Sequence, residues 1–160
     1  MPAPSASIAA PALSTVASDE PSTPLPQTDE KPSTTTPAFR ERMELVARAI
    51  LSGDAAPARP AFFPLVAYRQ VKAIQDPDRD YERRLLAAFD ADVAEYHRAL
   101  GKDAAAATFA GVDVPESHAE WMKPGREGNK VGYYRVLRAK LRFTLPNGKE
   151  RALELTSLIS

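Results

Sequence analysis

The spacing of the apolar residues changes once along this chain, at Gly101, and that change constrains the fold more than any other feature. Before Gly101 the apolar residues recur every three or four positions, as they do on one face of an α-helix, and after it they alternate with polar residues. Helices that precede strands without alternating with them are typical of the α+β class. We therefore expect N-terminal helices packed on a curved antiparallel β-meander.

Three helices are predicted before Gly101. Thr36 and Pro37 favour the start of the first helix, and Gly53 favours its end. A shorter second helix is expected to begin near Pro64 and to end at Asp76, which also caps the third helix.

The third helix has the longest apolar stripe in the chain. The stripe consists of Tyr81, Leu85, Phe89, Val93, Tyr96 and Leu100. This helix is therefore the expected centre of the core, and we expect Phe89 to be fully buried.

The alternating region predicts three strands. The first lies within residues 107–115, and residues 116–130 are expected to form a long loop with at most one helical turn. In the second strand, one buried face is expected to hold Leu137, Ala139, Leu141, Phe143 and Leu145.

A hairpin joins the second and third predicted strands. A three-residue loop, Pro146–Asn147–Gly148, keeps the apolar faces aligned, whereas a two-residue turn mixes them. This loop predicts three cross-strand pairs: Leu141 with Leu153, Ala139 with Leu155, and Lys140 with Glu154.

Residues 1–35 differ in composition from the rest of the chain. They contain no aromatic residue and are rich in Pro, Ser, Thr and Ala, so they predict a disordered, semi-extended tether. Residues 36–160 then form a single α+β domain. The tether resembles the linkers that follow membrane anchors in bacterial envelope proteins. That similarity implies a cell-envelope or secreted location, and a chain without such a tether would be cytoplasmic.

Two further resemblances concern the domain. The segment "FFPLVAYRQVKAIQDPDRDYERRL" resembles part of an uncharacterised bacterial domain family, which implies no activity. The element order over residues 60–160 is similar to that of the cystatin-like and nuclear-transport-factor-like cone folds, in which a long helix packs on a curved sheet.

Composition excludes several classes of site. The chain has 21 basic and 21 acidic residues and no cysteine, so disulfides, thiolate metal sites and cysteine nucleophiles are excluded. No run approaches the roughly 20 apolar residues that span a bilayer. Arginines between Tyr133 and Phe143 are compatible with nucleic-acid binding, but Glu154 opposite Lys140 neutralises part of that stripe, so a solvated face is favoured.

Two patterns in the sequence contain residue types that bind metals. The spacing of Asp76, Asp78 and Asp80 opens a calcium loop, but Tyr81 and Ala87 stand where such a loop needs glycine and glutamate. Carboxylates at a helix N-terminus explain the pattern better.

The chain has two histidines, His97 and His118. Together with a carboxylate they would match an iron site, but His97 lies beside the third helix's apolar stripe and favours a structural role. We therefore expect neither a metal nor another cofactor.

Two functions of different class remain. The favoured one is a non-catalytic binding or protein-interaction module on a flexible tether. The alternative is a small cone-fold enzyme or ligand carrier, with a pocket between the third helix and the sheet. Its candidate polar groups are Tyr81, Tyr96, His97, Asp113, His118 and Tyr133. Nothing in the sequence requires any two of these titratable groups to lie within hydrogen-bond distance of each other. The non-catalytic module is therefore favoured.

The last six residues, "LTSLIS", predict an interaction edge. They contain neither charge nor proline, the features that usually protect an exposed edge strand. Leu155, Leu158 and Ile159 are therefore expected to pair with a strand of a protein partner or of a second copy. The other explanation is that the native chain continues beyond Ser160 with a further strand.

The expected absence of a metal can be tested directly. Dialysis against a strong chelator should leave the thermal midpoint unchanged, because a structural metal site couples metal binding to folding. A lower midpoint that zinc or iron restores would contradict this prediction and would point to His97 and His118 as ligands.

Overall fold

The computed structural model describes residues 24–159, in which helices precede antiparallel strands. The α+β fold class is therefore confirmed. Residues 1–23 of the predicted tether and Ser160 lie outside the described residues. The helical elements are α1 (Pro37–Ser52), a 3-10 helix (Ala56–Ala61), α2 (Leu65–Val71), α3 (Pro77–Asp80), a π-helix (Tyr81–Leu86), α4 (Ala87–Leu100) and a 3-10 helix (Gly101–Ala106).

The strands follow the helices. They are β1 (Thr108–Asp113), β2 (Ala119–Met122), β3 (Tyr133–Val136), β4 (Lys140–Thr144), β5 (Glu150–Glu154) and β6 (Leu158–Ile159), with short 3-10 helices at Glu116–His118 and Arg126–Gly128.

The predicted helix ends are largely confirmed. The Thr36 hydroxyl accepts the Phe39 backbone N–H at 3.2 Å, and Gly53 ends α1 in the left-handed conformation, with φ 74°. Asp76 caps α3, which continues through the π-helix into α4 and stops at Gly101.

The predicted end of the second helix is wrong. α2 ends at Val71 because residues 71–73 leave the helix to pair with the loop before β3. Val71 accepts the Lys130 N–H at 2.6 Å, and Ala73 donates to Gly128 at 2.8 Å.

The six strands of the described chain form three long, interrupted strands. A 3-10 helix lies at the bend of the first, and a short break lies at the bend of the other two. The first comprises β1 and β2, the second β3 and β4, and the third β5 and β6. The sheet orders are β1-β4-β5 and β2-β3-β6, so the second long strand is central in both sheets. Strands that bend and pass from one sheet to another form the corners of such packings.

Backbone hydrogen bonds continue the pairing through the bends. Leu137 donates to His118 at 3.3 Å, and Leu155 donates to Ala139 at 2.8 Å. The second and third long strands therefore keep one register across both sheets. The pairing of the first with the second shifts at a bulge between Phe109 and Gly111 and again between the two sheets.

The hairpin register is confirmed. Leu141 lies opposite Leu153, and Lys140 lies opposite Glu154. Gly148 has a φ of 78° and donates to Leu145 at 2.9 Å, which closes the expected loop.

Two strand predictions are wrong. Residues 116–130 were expected to form a loop, but β2 lies within them. Leu137 was expected on the buried face with Ala139, yet it is 39 % exposed. Arg138 adopts the left-handed conformation with φ 61°, so the alternation restarts after it.

The main core lies between the first sheet and the helices α1 and α4. Its buried members are Met43, Ala47, Ile50, Leu100, Ala104, Ala139, Leu141, Phe143, Leu153 and Leu155. A smaller cluster of Val71, Met122 and Tyr133 attaches α2 to the second sheet.

The position of Phe89 differs from expectation. Its ring is only partly buried, and it packs on Phe62 with ring centroids 4.4 Å apart and beneath the Arg59 guanidinium at 5.7 Å. Phe143 is fully buried in the main core instead.

The difference between these two phenylalanines is testable. Phe143→Ala should lower the free energy of unfolding by about 3–5 kcal/mol, because it leaves a cavity in the packed core. Phe89→Ala should cost only about 1–2 kcal/mol, because the lost side chain is partly exposed. Urea unfolding of both variants measures the two free energies of unfolding. Equal losses of stability would contradict the placement of Phe143 in the core and of Phe89 near the surface.

Candidate functional site

An open cleft lies at the bend between the two sheets. We name it the outer cleft, and its volume is about 640 Å³. Its lining residues are Val112, Asp113, Val114, Pro115, His118, Arg138, Lys140 and Glu154. Of the candidate polar groups predicted from sequence, it holds Asp113 and His118.

Strand register sets the charges of the outer cleft. Lys140 lies on the central strand, with Asp113 opposite it on one side and Glu154 opposite it on the other. Asp113 forms an ion pair with Arg142 at 3.1 Å. Within residues 24–159, no ion pair joins Arg138 or Lys140 to a carboxylate. The cleft therefore presents two available cations to an anionic group, beside the carboxylate of Glu154.

The other candidate polar groups have structural partners. His97 Nδ1 lies 2.9 Å from the carbonyl oxygen of Ile50. Its ring packs so closely on Gly53 that a Cβ there would lie 3.0 Å from it. His97 therefore fixes the end of α1 against α4.

The three tyrosines of that set also have their own partners elsewhere in the structure. Tyr81 donates to the Phe63 carbonyl at 2.7 Å, whereas the Tyr96 hydroxyl accepts the Thr156 N–H at 3.1 Å. Tyr133 is buried in the small cluster under the second sheet. The structure therefore does not bring these tyrosines into one pocket between α4 and the sheet.

We name residues 24–35 the strap, and a second groove lies between residues 31–35 of this strap and the second sheet. This strap groove has a volume of about 320 Å³. It is lined by Lys31, Pro32, Ser33, Thr34, Thr35, Val114, Glu116, Ala119, Tyr134 and Val136.

The strap contacts the domain at two further points. The side-chain amide of Gln70 accepts the Leu25 N–H at 2.9 Å and donates to the Leu25 carbonyl at 2.8 Å. Lys31 forms an ion pair with Glu116 at 3.6 Å. The strap was predicted as part of the tether, and the domain boundary near residue 36 remains a prediction.

Aromatic residues support the floor of the strap groove. The Trp121 and Tyr134 rings lie on neighbouring strands with centroids 5.0 Å apart. Trp121 also covers Gly132 so closely that a Cβ there would lie 2.2 Å from its ring. Sequence patterning missed this pair because Trp121 stands in a segment that was expected to be a loop.

The predicted interaction edge is divided between core and surface. Leu155 belongs to the main core, and Leu158 packs against that core while pairing with Val136. Ile159 lies opposite Arg135 and is 43 % exposed. In the described part of the chain, β6 is an edge strand that pairs only with β3. Its role in binding remains a prediction.

A triad of polar side chains, Tyr68, Asp80 and Arg84, has strongly shifted pKa values. Arg84 donates to both carboxylate oxygens of Asp80, at 2.8 and 2.6 Å, and to the Tyr68 hydroxyl at 2.9 Å. Tyr68 in turn donates to Asp80. The hydrogen bonds from Arg84 lower the Asp80 pKa to about 2, and burial raises the Tyr68 pKa to about 12. The triad joins α2 to α3 and the π-helix.

Two properties of residues 24–159 bear on membranes and metals. None of the helices in this range is both long and apolar enough to span a bilayer. The same range contains no group of three histidine or carboxylate side chains arranged to hold a metal ion.

Comparison with known proteins identifies no relative: no family model, curated protein or solved structure matches this chain. The similarities to cone folds and to an uncharacterised bacterial family therefore remain predictions.

The triad predicts how stability depends on pH. The folded chain holds Asp80 at a pKa of about 2, against an ordinary 3.8, so its contribution is present above about pH 4 and is lost as pH falls toward 2. The Tyr68 pKa of about 12 exceeds the ordinary 10.0, so its contribution is present below pH 10 and is lost as pH rises toward 12.

Urea unfolding across both pH ranges tests these two signs. Tyr68→Phe should reduce the loss of stability between pH 10 and 12. It should weaken the acid limb without removing it, because Asp80 loses the Tyr68 hydrogen bond but keeps those from Arg84. Asp80→Asn should flatten the acid limb. A Tyr68→Phe chain with an unchanged alkaline limb would contradict the assignment.

Proposed function

We propose that this chain is a non-catalytic binding module whose second sheet associates with the same sheet of a second copy through the edge of β6. The proposal rests on Ile159, which lies on this edge strand and is 43 % exposed. It is the most exposed of the large apolar side chains in residues 24–159. A strand added to a sheet edge gains main-chain hydrogen bonds and uses such side chains for selectivity.

The chemistry of the two sheets favours β6 over β5. β5 is also an edge strand, but it carries Glu150, Arg151 and Glu154, and charged residues protect an edge from pairing. Residues 155–159 carry no charge and no proline. β6 is only two residues long, so neighbouring surface of the second sheet must contribute to any stable complex.

Ligand carriage in the outer cleft is a second proposal. Its support is the left-handed Arg138, whose backbone conformation is rare for a residue with a side chain and is concentrated at functional sites. With Lys140 it supplies two cations to a small anion. Titration with inorganic phosphate should shift the His118 ring resonances in the wild-type chain. These shifts should be lost in Arg138→Ala, and unchanged resonances in the wild type would exclude this proposal.

The β6 proposal predicts that a charge at one exposed position prevents association. The wild-type chain should show an average mass that rises with concentration in light scattering, whereas Ile159→Lys should stay monomeric, because a lysine opposes strand pairing at an edge. Ile74→Lys is the matched control, because Ile74 is 38 % exposed and lies outside the second sheet.

Leu158→Lys provides the internal comparison. It should lower the thermal midpoint as well as association, since Leu158 packs against the main core. A wild-type chain that stays monomeric over the whole series, or an Ile74→Lys chain that loses association as Ile159→Lys does, would contradict the proposal.

A further inference from the structure

We infer that the strap groove is a docking site for an extended, proline-containing polypeptide segment, and that the strap occupies it in cis as a displaceable competitor. The inference rests on the proposed function, because it adds the chemistry of a bound segment to the same sheet. The strap itself, "PLPQTDEKPSTT" at residues 24–35, shows which chemistry the groove accepts.

One anchor recognises main chain rather than side chain. The Gln70 amide makes one bond to the N–H of Leu25 and one to its carbonyl. A neighbouring strand offers the same pair of groups, so this contact fits any residue in an extended conformation. The anchor therefore selects an extended segment without selecting its sequence.

A second anchor selects charge. Lys31 and Glu116 approach to 3.6 Å, with side chains 44 % and 82 % exposed. Exposed pairs of this kind contribute about 0–1 kcal/mol, so the contact can exchange with another cation. It favours an incoming segment with Lys or Arg at this position.

The floor of the groove, next to the second anchor, suits proline. Pro32 lines the groove together with Tyr134, Val136 and Ala119. Aromatic-lined grooves bind proline-rich segments because such segments are extended before binding and lose little conformational entropy. The Tyr134 ring is held in place by Trp121.

The strap is held loosely enough to be displaced. A groove of about 320 Å³ remains open between it and the sheet. Within residues 24–159, no backbone–backbone hydrogen bond joins the strap to the second sheet. The contacts that hold the strap within the described residues therefore involve side chains. A competing segment of the same chemistry can replace them.

The probe for this inference is a fluorescent peptide with the sequence of residues 24–35, titrated into the full chain and followed by anisotropy. The strap competes in the wild type. In the Lys31→Glu chain the strap meets Glu116 with like charge, so the peptide should bind about fivefold more tightly, as loss of a surface ion pair allows. Trp121 is the single tryptophan, so its emission should shift in Lys31→Glu without added peptide.

Exchanging the charges of Lys31 and Glu116 tests whether the peptide binds beside Glu116. The Glu116→Lys chain should bind a peptide that carries Lys31→Glu more tightly than it binds the unmodified peptide. Tyr134→Ala should abolish binding of both peptides, with a thermal melt to confirm that the chain is folded. A peptide with its three prolines replaced by alanine should bind more weakly to every chain.

The outcomes separate this inference from the proposed function. Ile159→Lys should bind the peptide as the wild type does, and Lys31→Glu should associate as the wild type does. The inference is overturned if the Lys31→Glu chain shows no saturable peptide binding, or if the charge exchange leaves the preference between peptides unchanged.

Discussion

The bend that the three long strands share is the constraint on which the rest of the structure depends. At the bend, Leu155 donates to Ala139, and both side chains are buried in the main core. Ala139 is fully buried, so a larger side chain at this point would overpack the core. Because all three strands bend at the same level, one meander forms two sheets that face different neighbours.

The two sheets consequently have different surfaces. The first sheet has its inner face covered by α1 and α4, and its outer face carries rows of opposite charges such as Arg142 with Asp113 and Glu150. The second sheet is built from shorter strands, with α2 against one face and the strap over part of the other. The incompletely covered surface thus lies on the second sheet, and both proposals for polypeptide binding concern it.

Sequence reasoning succeeded where the controlling interactions are local. The caps at Thr36 and Asp76 and the hairpin register all follow from residues near one another in sequence. The bend was missed because Arg138, unlike glycine, gives no signal of left-handed backbone.

The candidate site was harder to predict for the same reason. Asp113 and His118 were named, but for a pocket between α4 and the sheet, whereas they line the outer cleft. Gln70 and Leu25 meet across 45 positions of sequence, and no local pattern indicates such a contact. The strap's composition predicted a semi-extended segment, but composition cannot show what such a segment lies against. A few side-chain contacts, each worth about 1 kcal/mol, are enough to place it on the aromatic floor and too few to hold it against a competitor. Proline suits such weak and reversible docking because it stiffens the chain. The stiffness lowers the conformational entropy that the strap loses on docking, and it does the same for a proline-containing competitor.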